Sequence, residues 1–254
     1  VKQSVVFLHG AFCGGWSFDL FRQPFEAAGY ACYAPNLPCH QPGADRAQLA
    51  ALGLQDFAAS VAAATARLDR PPVLVGHSMG GLIAQIVATR APVAGLVLLA
   101  PSTPWGVAPT TPEELSAAVA LFALGDYWNQ AVDPVYGPVR DYSLNRMPRA
   151  ERHALFARFV PESGRAAFET LNWALDPTMA AAAPADRISC PVLLLTGGRD
   201  VLNPASTAGV LIRRFPRVQG EMVLFEEMSH WLVGEPGWRN VADAALGWMA
   251  RRGL

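Results

Sequence analysis

Residues 73–88 read Val73-Leu74-Val75-Gly76-His77-Ser78-Met79-Gly80-Gly81-Leu82-Ile83-Ala84-Gln85-Ile86-Val87-Ala88. A short β-favouring run enters a Gly-x-Ser-x-Gly turn, and an apolar helical pattern (Leu82, Ile83, Ile86, Val87) leaves it without a loop. A strand that passes into a helix this sharply strains the backbone at the turning residue and exposes its side chain. Glycines on either side leave room where larger residues would collide with the neighbouring strand and helix. Ser78 is therefore the candidate nucleophile.

Working outward, the same alternation continues. Val5 to Leu8 is a continuous apolar run closed by His9-Gly10, Ala31 to Leu37 reads as a second strand, and Ala94 to Ala100 as a fourth, after Val73 to Val75. Leu49 to Leu68 reads as one helix, stopped by Pro71-Pro72. Short buried strands alternating with helices predict a mostly parallel sheet with helices on both faces. Between about Thr103 and Asp186 the rhythm breaks: the segment holds helical patterns (Glu113 to Leu124, Arg149 to Phe159, Arg165 to Leu175) and no strand-like run. Alternation resumes with a strand at Pro191 to Thr196, a helix at Pro204 to Phe215, a strand around Met222 to Phe225 and a final helix from Pro236 to Arg251. The expected organisation is a core of residues 1–102 and 187–254, with 103–186 an all-helical lid inserted after the fourth strand.

A serine hydroxyl is a poor nucleophile until a base removes its proton. His230 follows a predicted strand in the loop Glu226-Glu227-Met228-Ser229-His230, whereas the other histidine after Ser78, His153, falls in the insertion. Asp200 closes the strand-and-turn stretch Leu193-Leu194-Leu195-Thr196-Gly197-Gly198-Arg199-Asp200 and is the candidate acid; Glu226 and Glu227 are alternatives, too close in sequence to His230 to come first. Asp200 could instead cap a helix or pair with Arg199. Two backbone N–H groups are needed for a developing oxyanion: Met79, next to the nucleophile, and Ala11 in the glycine-rich loop His9 to Trp16, with Phe12 second.

His9-Gly10-Ala11, Gly14-Gly15-Trp16, Gly76-His77-Ser78-Met79-Gly80-Gly81 and Ser229-His230-Trp231 together resemble the α/β-hydrolase superfamily, most closely small lidded bacterial serine hydrolases and plant esterases and hydroxynitrile lyases. The resemblance covers nearly the whole chain. It implies the α/β-hydrolase fold and a triad in the order Ser78, Asp200, His230. No strand pair precedes the first strand, so about six strands are expected rather than eight. The lyases commonly carry a threonine after His-Gly and a lysine after the catalytic histidine. Ala11 and Trp231 stand there in this chain and favour hydrolysis. Serine at position 78 disfavours the dehalogenase and epoxide-hydrolase relatives, whose nucleophile is aspartate.

Composition sets the remaining bounds. The 254 residues carry a net charge of −1 and one lysine, Lys2, with no basic stripe, which argues against a nucleic-acid partner. The longest apolar run, Val93 to Trp105, is broken by Gly95, Pro101 and Pro104 and is too short for a membrane span. Cys13, Cys32, Cys39 and Cys190 are irregularly spaced, and with no signal-peptide pattern the expectation is free thiols in the cytoplasm. Five scattered histidines without ligand spacing predict no metal, and Gly10 to Gly15 lacks the dinucleotide spacing, so no cofactor is expected. Cys39-His40 reads as plain loop, with the mouth of the site as the alternative.

The insertion is aromatic, and Trp105, Trp128, Phe12 and Trp231 are candidates to line an apolar substrate pocket; Arg140, Arg146 and Arg149 are candidates for a carboxylate or simply exposed. The expected activity is hydrolysis of a carboxylic ester of a small to medium, largely apolar molecule through an acyl-enzyme. Lactone, amide or C–C bond hydrolysis by the same residues, or a slow-turnover ligand receptor, are the alternatives. Oligomeric state leaves no mark in the sequence.

Overall fold

The computed structural model describes residues 2–218 and 220–254. Six strands form one parallel sheet: β1 (Val5–Leu8), β2 (Cys32–Tyr33), β3 (Val73–His77), β4 (Gly95–Leu99), β7 (Val192–Gly197) and β8 (Glu221–Phe225), in the order β2-β1-β3-β4-β7-β8. A separate antiparallel pair, β5 (Ala131–Val132) and β6 (Glu162–Ser163), lies in the long segment between β4 and β7. The helices are α1 (Gln23–Ala27), α2 (Arg46–Ala51), α3 (Leu54–Thr65), α4 (Met79–Ala88) and α5 (Pro112–Ala120) in the first half. The short α6 (Tyr136–Pro138), α7 (Arg149–Phe156), α8 (Gly164–Leu171), α9 (Ala205–Ile212) and α10 (Trp238–Arg251) follow.

The central strands are apolar without interruption because both their faces are covered. Val6, Leu8, Leu74, Leu96, Leu98 and Leu194 face the side packed by α3, α4 and α9. Val5, Phe7, Val73, Val75, Val97 and Leu193 point the other way, onto Phe18, Phe21, Phe25 and the α10 residues Val241 and Trp248. The sheet order reverses between β1 and β3, so the loops leaving these two strands diverge and open a crevice at their carboxyl ends, the usual place for a ligand in such a sheet. Gly10-Ala11 and Ser78 lie there.

Three details differ from the sequence reading. The 49–68 helix is two helices: Leu52 is extended (ψ 141°), and the Gly53 N–H donates to the Asp56 carboxylate at 2.8 Å to start α3 anew. The second strand shortens to two residues at the sheet edge, where only β1 pairs with it. The 103–186 segment is not all helical, since Ala131 pairs with Ser163 and Val132 with Glu162. Ser163 then caps α8, its hydroxyl accepting from Ala166 N at 3.1 Å.

Space is tight around the β3–α4 turn. A Cβ on Gly76 would sit 2.4 Å from the Gly80 carbonyl oxygen, and one on Gly80 2.1 Å from that of Leu8. Gly80→Ala should therefore destabilise the fold by well over the ~1 kcal/mol of an average substitution, read as a lowered denaturation midpoint; an unchanged midpoint would mean that β1 and α4 are not packed backbone to backbone.

Candidate active site

Ser78 has φ 52° and ψ −123°, a left-handed conformation costly for any residue but glycine. Its neighbours hold it there. Ser78 N donates to Leu99 O at 3.0 Å, and Ser78 O accepts from Gly81 N at 2.9 Å and Ser102 N at 3.0 Å. With its backbone pinned, the side chain stands at the head of α4, whose first N–H groups, Met79 included, have no partner within the helix.

Asp200 and His230 leave the ends of β7 and β8 and meet: His230 Nδ1 donates to Asp200 Oδ2 at 2.9 Å, with both side chains nearly inaccessible to solvent. The other oxygen, Oδ1, accepts from Leu202 N at 2.8 Å and Asn203 N at 2.9 Å. Asp200 thus also caps its own turn, while Arg199 turns outward to Glu227 at 3.1 Å. Glu226 and Glu227 are exposed and do not approach His230 as Asp200 does. The two loops are stitched together by Gly198 N to Phe225 O at 2.9 Å and Arg199 N to Met228 O at 2.8 Å.

The histidine loop has a second support that sequence reasoning missed. Glu235, fully buried, accepts from both the backbone N–H and the hydroxyl of Ser229, the latter at 2.6 Å. Burial raises its carboxyl above the usual value, against these bonds and the pull of His230. A carboxylate standing in the apolar stretch Trp231 to Gly237 was the available signal.

The glycine-rich loop after β1 is held peptide by peptide. His9 Nε2 accepts from Leu37 N at 2.9 Å, and its Nδ1–H donates to Gly10 O at 2.9 Å. Since the peptide is trans, fixing the Gly10 carbonyl also fixes the Ala11 N–H, which points the opposite way. Phe12 is left-handed (φ 61°), and its N–H donates to Glu162 Oε2 at 3.1 Å. Of the two loop amides considered for an oxyanion, Phe12's is therefore occupied. Ala11 lines the cavity described next.

Ser78, Met79, Ala11, Phe12, His230 and Trp231 all border one cavity of about 270 Å³. Its opposite wall comes from the β4–β7 segment, through Leu121, Leu124, Val139, Tyr142, Phe159 and Leu171. Among the described residues no arginine lines it. Arg140 pairs with Asp141 at 2.6 Å and Arg146 donates to Glu227 O at 3.1 Å, both at the surface, and Arg149 is outside the lining too. Trp105 and Trp128 are also placed elsewhere. Trp105 packs on Trp173 (5.7 Å between ring centres), and Trp128 joins Phe122, Tyr127 and Phe168 in a cluster behind the wall. These two tryptophans pack within the insertion, whereas Tyr142 and Phe159 are the aromatic residues it contributes to the lining.

His40 is not at the mouth. It is buried between Pro38 O (2.9 Å from Nδ1) and Glu162 Oε2 (3.0 Å from Nε2). All four cysteines are free thiols. Among the described residues no group of three or more His, Cys, Asp or Glu side chains is placed to hold a metal ion, and no helix is long and apolar enough to cross a membrane.

A parallel sheet carrying a strained serine at the β3–α4 turn, with an acid and a histidine after the last two strands, is the architecture of the α/β hydrolases. Residues 5–244 match the alpha/beta hydrolase family, and the chain belongs to it. Among individual proteins it is similar to a pyrethroid hydrolase of Sphingobium wenxiniae, 36% identical over 110 residues, a match spanning 42% of this chain and 39% of that protein. It is also similar to the pimeloyl-[acyl-carrier protein] methyl ester esterase of Neisseria meningitidis, 29% identical over 69% of this chain and 68% of that one. The fold superposes on the crystal structure of a monoacylglycerol lipase from Paleococcus ferrophilus with a TM-score of 0.71, at 21% identity, covering 98% of this chain and 94% of that one.

The histidines give a pH signature. Burial, helped by the nearby His40 and His230 respectively, lowers His9 and His77 to about 3. For His77 the reason is local: Nε2–H donates to His230 O at 2.8 Å, and Nδ1 is buried with no acceptor beside it, so a second proton would have nowhere to bond. In the unfolded chain both take up protons near pH 6.5. Each therefore contributes stability that is complete above about pH 6.5 and is lost as pH falls toward 3. The burial-raised carboxyls of Glu114, Glu169 and Glu235 act in the opposite sense, since the unfolded chain gives up those protons first as pH rises. The melting temperature should fall steadily from pH 6.5 to 5 by calorimetry; a flat profile over that interval would mean that these imidazoles are charged in the fold.

Proposed function

We propose that the chain is a carboxylic-ester hydrolase working through an acyl-enzyme on Ser78. The observation that carries this reading is the convergence on one apolar cavity of a strained, half-buried serine and a histidine whose Nδ1–H is committed to a buried aspartate. With Nδ1 so engaged, His230 Nε2 is the basic nitrogen. It takes the Ser78 proton as Oγ attacks the ester carbonyl, and the Ala11 and Met79 N–H groups hold the oxyanion. Collapse expels the alcohol, protonated by His230. Water, deprotonated by the same nitrogen, then attacks the acyl-enzyme and frees the acid and Ser78. Asp200 keeps the imidazole in the required tautomer and stabilises its charged form.

Residues 103–186 act as a lid over the core formed by 1–102 and 187–254, since they supply the cavity wall facing Ser78. That wall, together with Phe12 and Trp231, is apolar and carries no cation, which suits a small to medium, largely uncharged ester. The name of one relative, a methyl ester esterase, agrees with an ester substrate. The free thiols suit a reducing, cytoplasmic compartment, and the chemistry needs neither metal nor cofactor.

p-Nitrophenyl esters from acetate to palmitate test this. Release should be fast for short and medium chains, fall off for the longest, and vanish in Ser78→Ala; retained activity in that variant would remove Ser78 from the mechanism. Asp200→Asn should cut kcat by about 10³–10⁴, and a wild-type rate would place the acid elsewhere. Overnight dialysis against a chelator should leave the rate unchanged.

A further inference from the structure

Glu162 is a carboxylate with no exposed surface, set on β6 in the β4–β7 segment and aimed at the core. All its bonds are accounted for. Oε1 accepts from Ser163 N at 2.7 Å, and Oε2 is shared by His40 Nε2 at 3.0 Å and Phe12 N at 3.1 Å. The same segment takes the other side of Phe12, whose carbonyl accepts from Val160 N at 2.9 Å.

Three successive peptide groups of the oxyanion loop are thus pinned. The Gly10–Ala11 unit is held by His9, the Ala11–Phe12 unit by Glu162, and the Phe12–Cys13 unit by Val160. The last two clamps, Glu162 and Val160, come from residues about 150 positions away, and between them lies Phe12 at φ 61°, a conformation it would not hold unaided. If Phe12 relaxed to negative φ, the adjoining Ala11–Phe12 peptide would swing and Ala11 with it.

We propose that Glu162, anchored by His40, is a positioning residue for the oxyanion hole: by gripping the Phe12 amide it keeps the neighbouring Ala11 N–H directed at the reacting carbonyl. The insertion then does more than wall the cavity, because it completes the geometry of the loop that stabilises charge. His40 belongs to the same device. Burial disfavours its charged form, but the Glu162 carboxylate and the Pro38 carbonyl, one at each ring nitrogen, outweigh that and raise it above the usual histidine value.

The inference rests on the role given to Ser78 above, so its test does not depend on an ester. Glu162→Gln preserves volume but not the acceptor. Without the carboxylate charge the buried His40 becomes neutral, keeps its Nδ1–H on Pro38 O, and presents a bare Nε2. The glutamine NH2 then turns toward Nε2, with its oxygen on Ser163 N, and faces Phe12 N–H donor to donor. Labelling of Ser78 by a fluorophosphonate, whose phosphoryl oxygen uses the same N–H groups, is followed beside p-nitrophenyl ester turnover, each per titratable site.

Glu162→Gln should lower both the labelling rate constant and kcat about 10–100-fold, less than the ~10²–10³ lost with a whole oxyanion donor, while KM stays within about twofold. Glu162→Asp, which keeps its charge beside His40 but withdraws the oxygen from Phe12, should do the same and serves if the glutamine variant gives no titratable sites. Per-site rates within twofold of wild type would overturn the proposal, and fewer active molecules of normal rate would reduce Glu162 to a tie between insertion and core. A wild type that is labelled at Ser78 but cleaves no ester would refute the ester reading and leave the Glu162 comparison intact. One that is not labelled would overturn both.

Discussion

At the end of β3 the chain passes from strand to helix across one residue, and the molecule is arranged so that this turn can exist. Ser78 pays for its left-handed backbone through bonds to Leu99, Gly81 and Ser102, which belong to β4, α4 and the loop after β4. The absence of side chains at Gly76 and Gly80 lets α4 lie directly on β3 and on the end of β1. The neighbouring strands are thereby fixed at the spacing that brings the loops after β1, β7 and β8 within reach of the serine.

Around that turn the buried polar groups are organised as supports for backbone rather than as isolated contacts. His9 holds a peptide, Asp200 holds a turn as well as His230, and Glu235 holds the loop on which His230 stands. His77 donates to the carbonyl of His230 itself. Each group is removed from water, and each has a hydrogen-bond partner whose position the fold fixes, which is the condition under which buried polarity rigidifies a site rather than weakening it.

This pattern explains what was legible in the sequence. Strands buried on both faces announce themselves as unbroken apolar runs, so β1, β3, β4 and β7 and their order were within reach. Ser78 and Asp200 could be nominated because each follows such a run, and His230 because it stands in the loop after the last predicted strand, in the chain order that the resemblance implies. Local chemistry hid the rest. The break at Leu52-Gly53 is marked by one bond from Gly53 N to Asp56, and of the predicted second strand only Cys32 and Tyr33 pair with β1. His40 and Glu162 are 122 residues apart, and neither carries a local mark of the other. Trp105 and Trp128 misled for the opposite reason: a tryptophan at helical spacing looks the same from the sequence whether it faces a cavity or a phenylalanine.

The neighbouring positions of β4 and β7 have a consequence for how the chain reaches its final form. Their pairing joins Leu99 to Leu195 and closes a loop holding the whole insertion. Loop entropy grows only as the logarithm of length, so the insertion costs the folded state little. Kinetically it counts for more, because contacts between strands so far apart in sequence form late. β1 to β4 and the serine turn can assemble from the first hundred residues, but the aspartate and histidine arrive only when β7 and β8 dock. A newly made chain would hold Ser78 in a sheet still open at one edge, without Asp200 and His230 beside it until the final two strands dock.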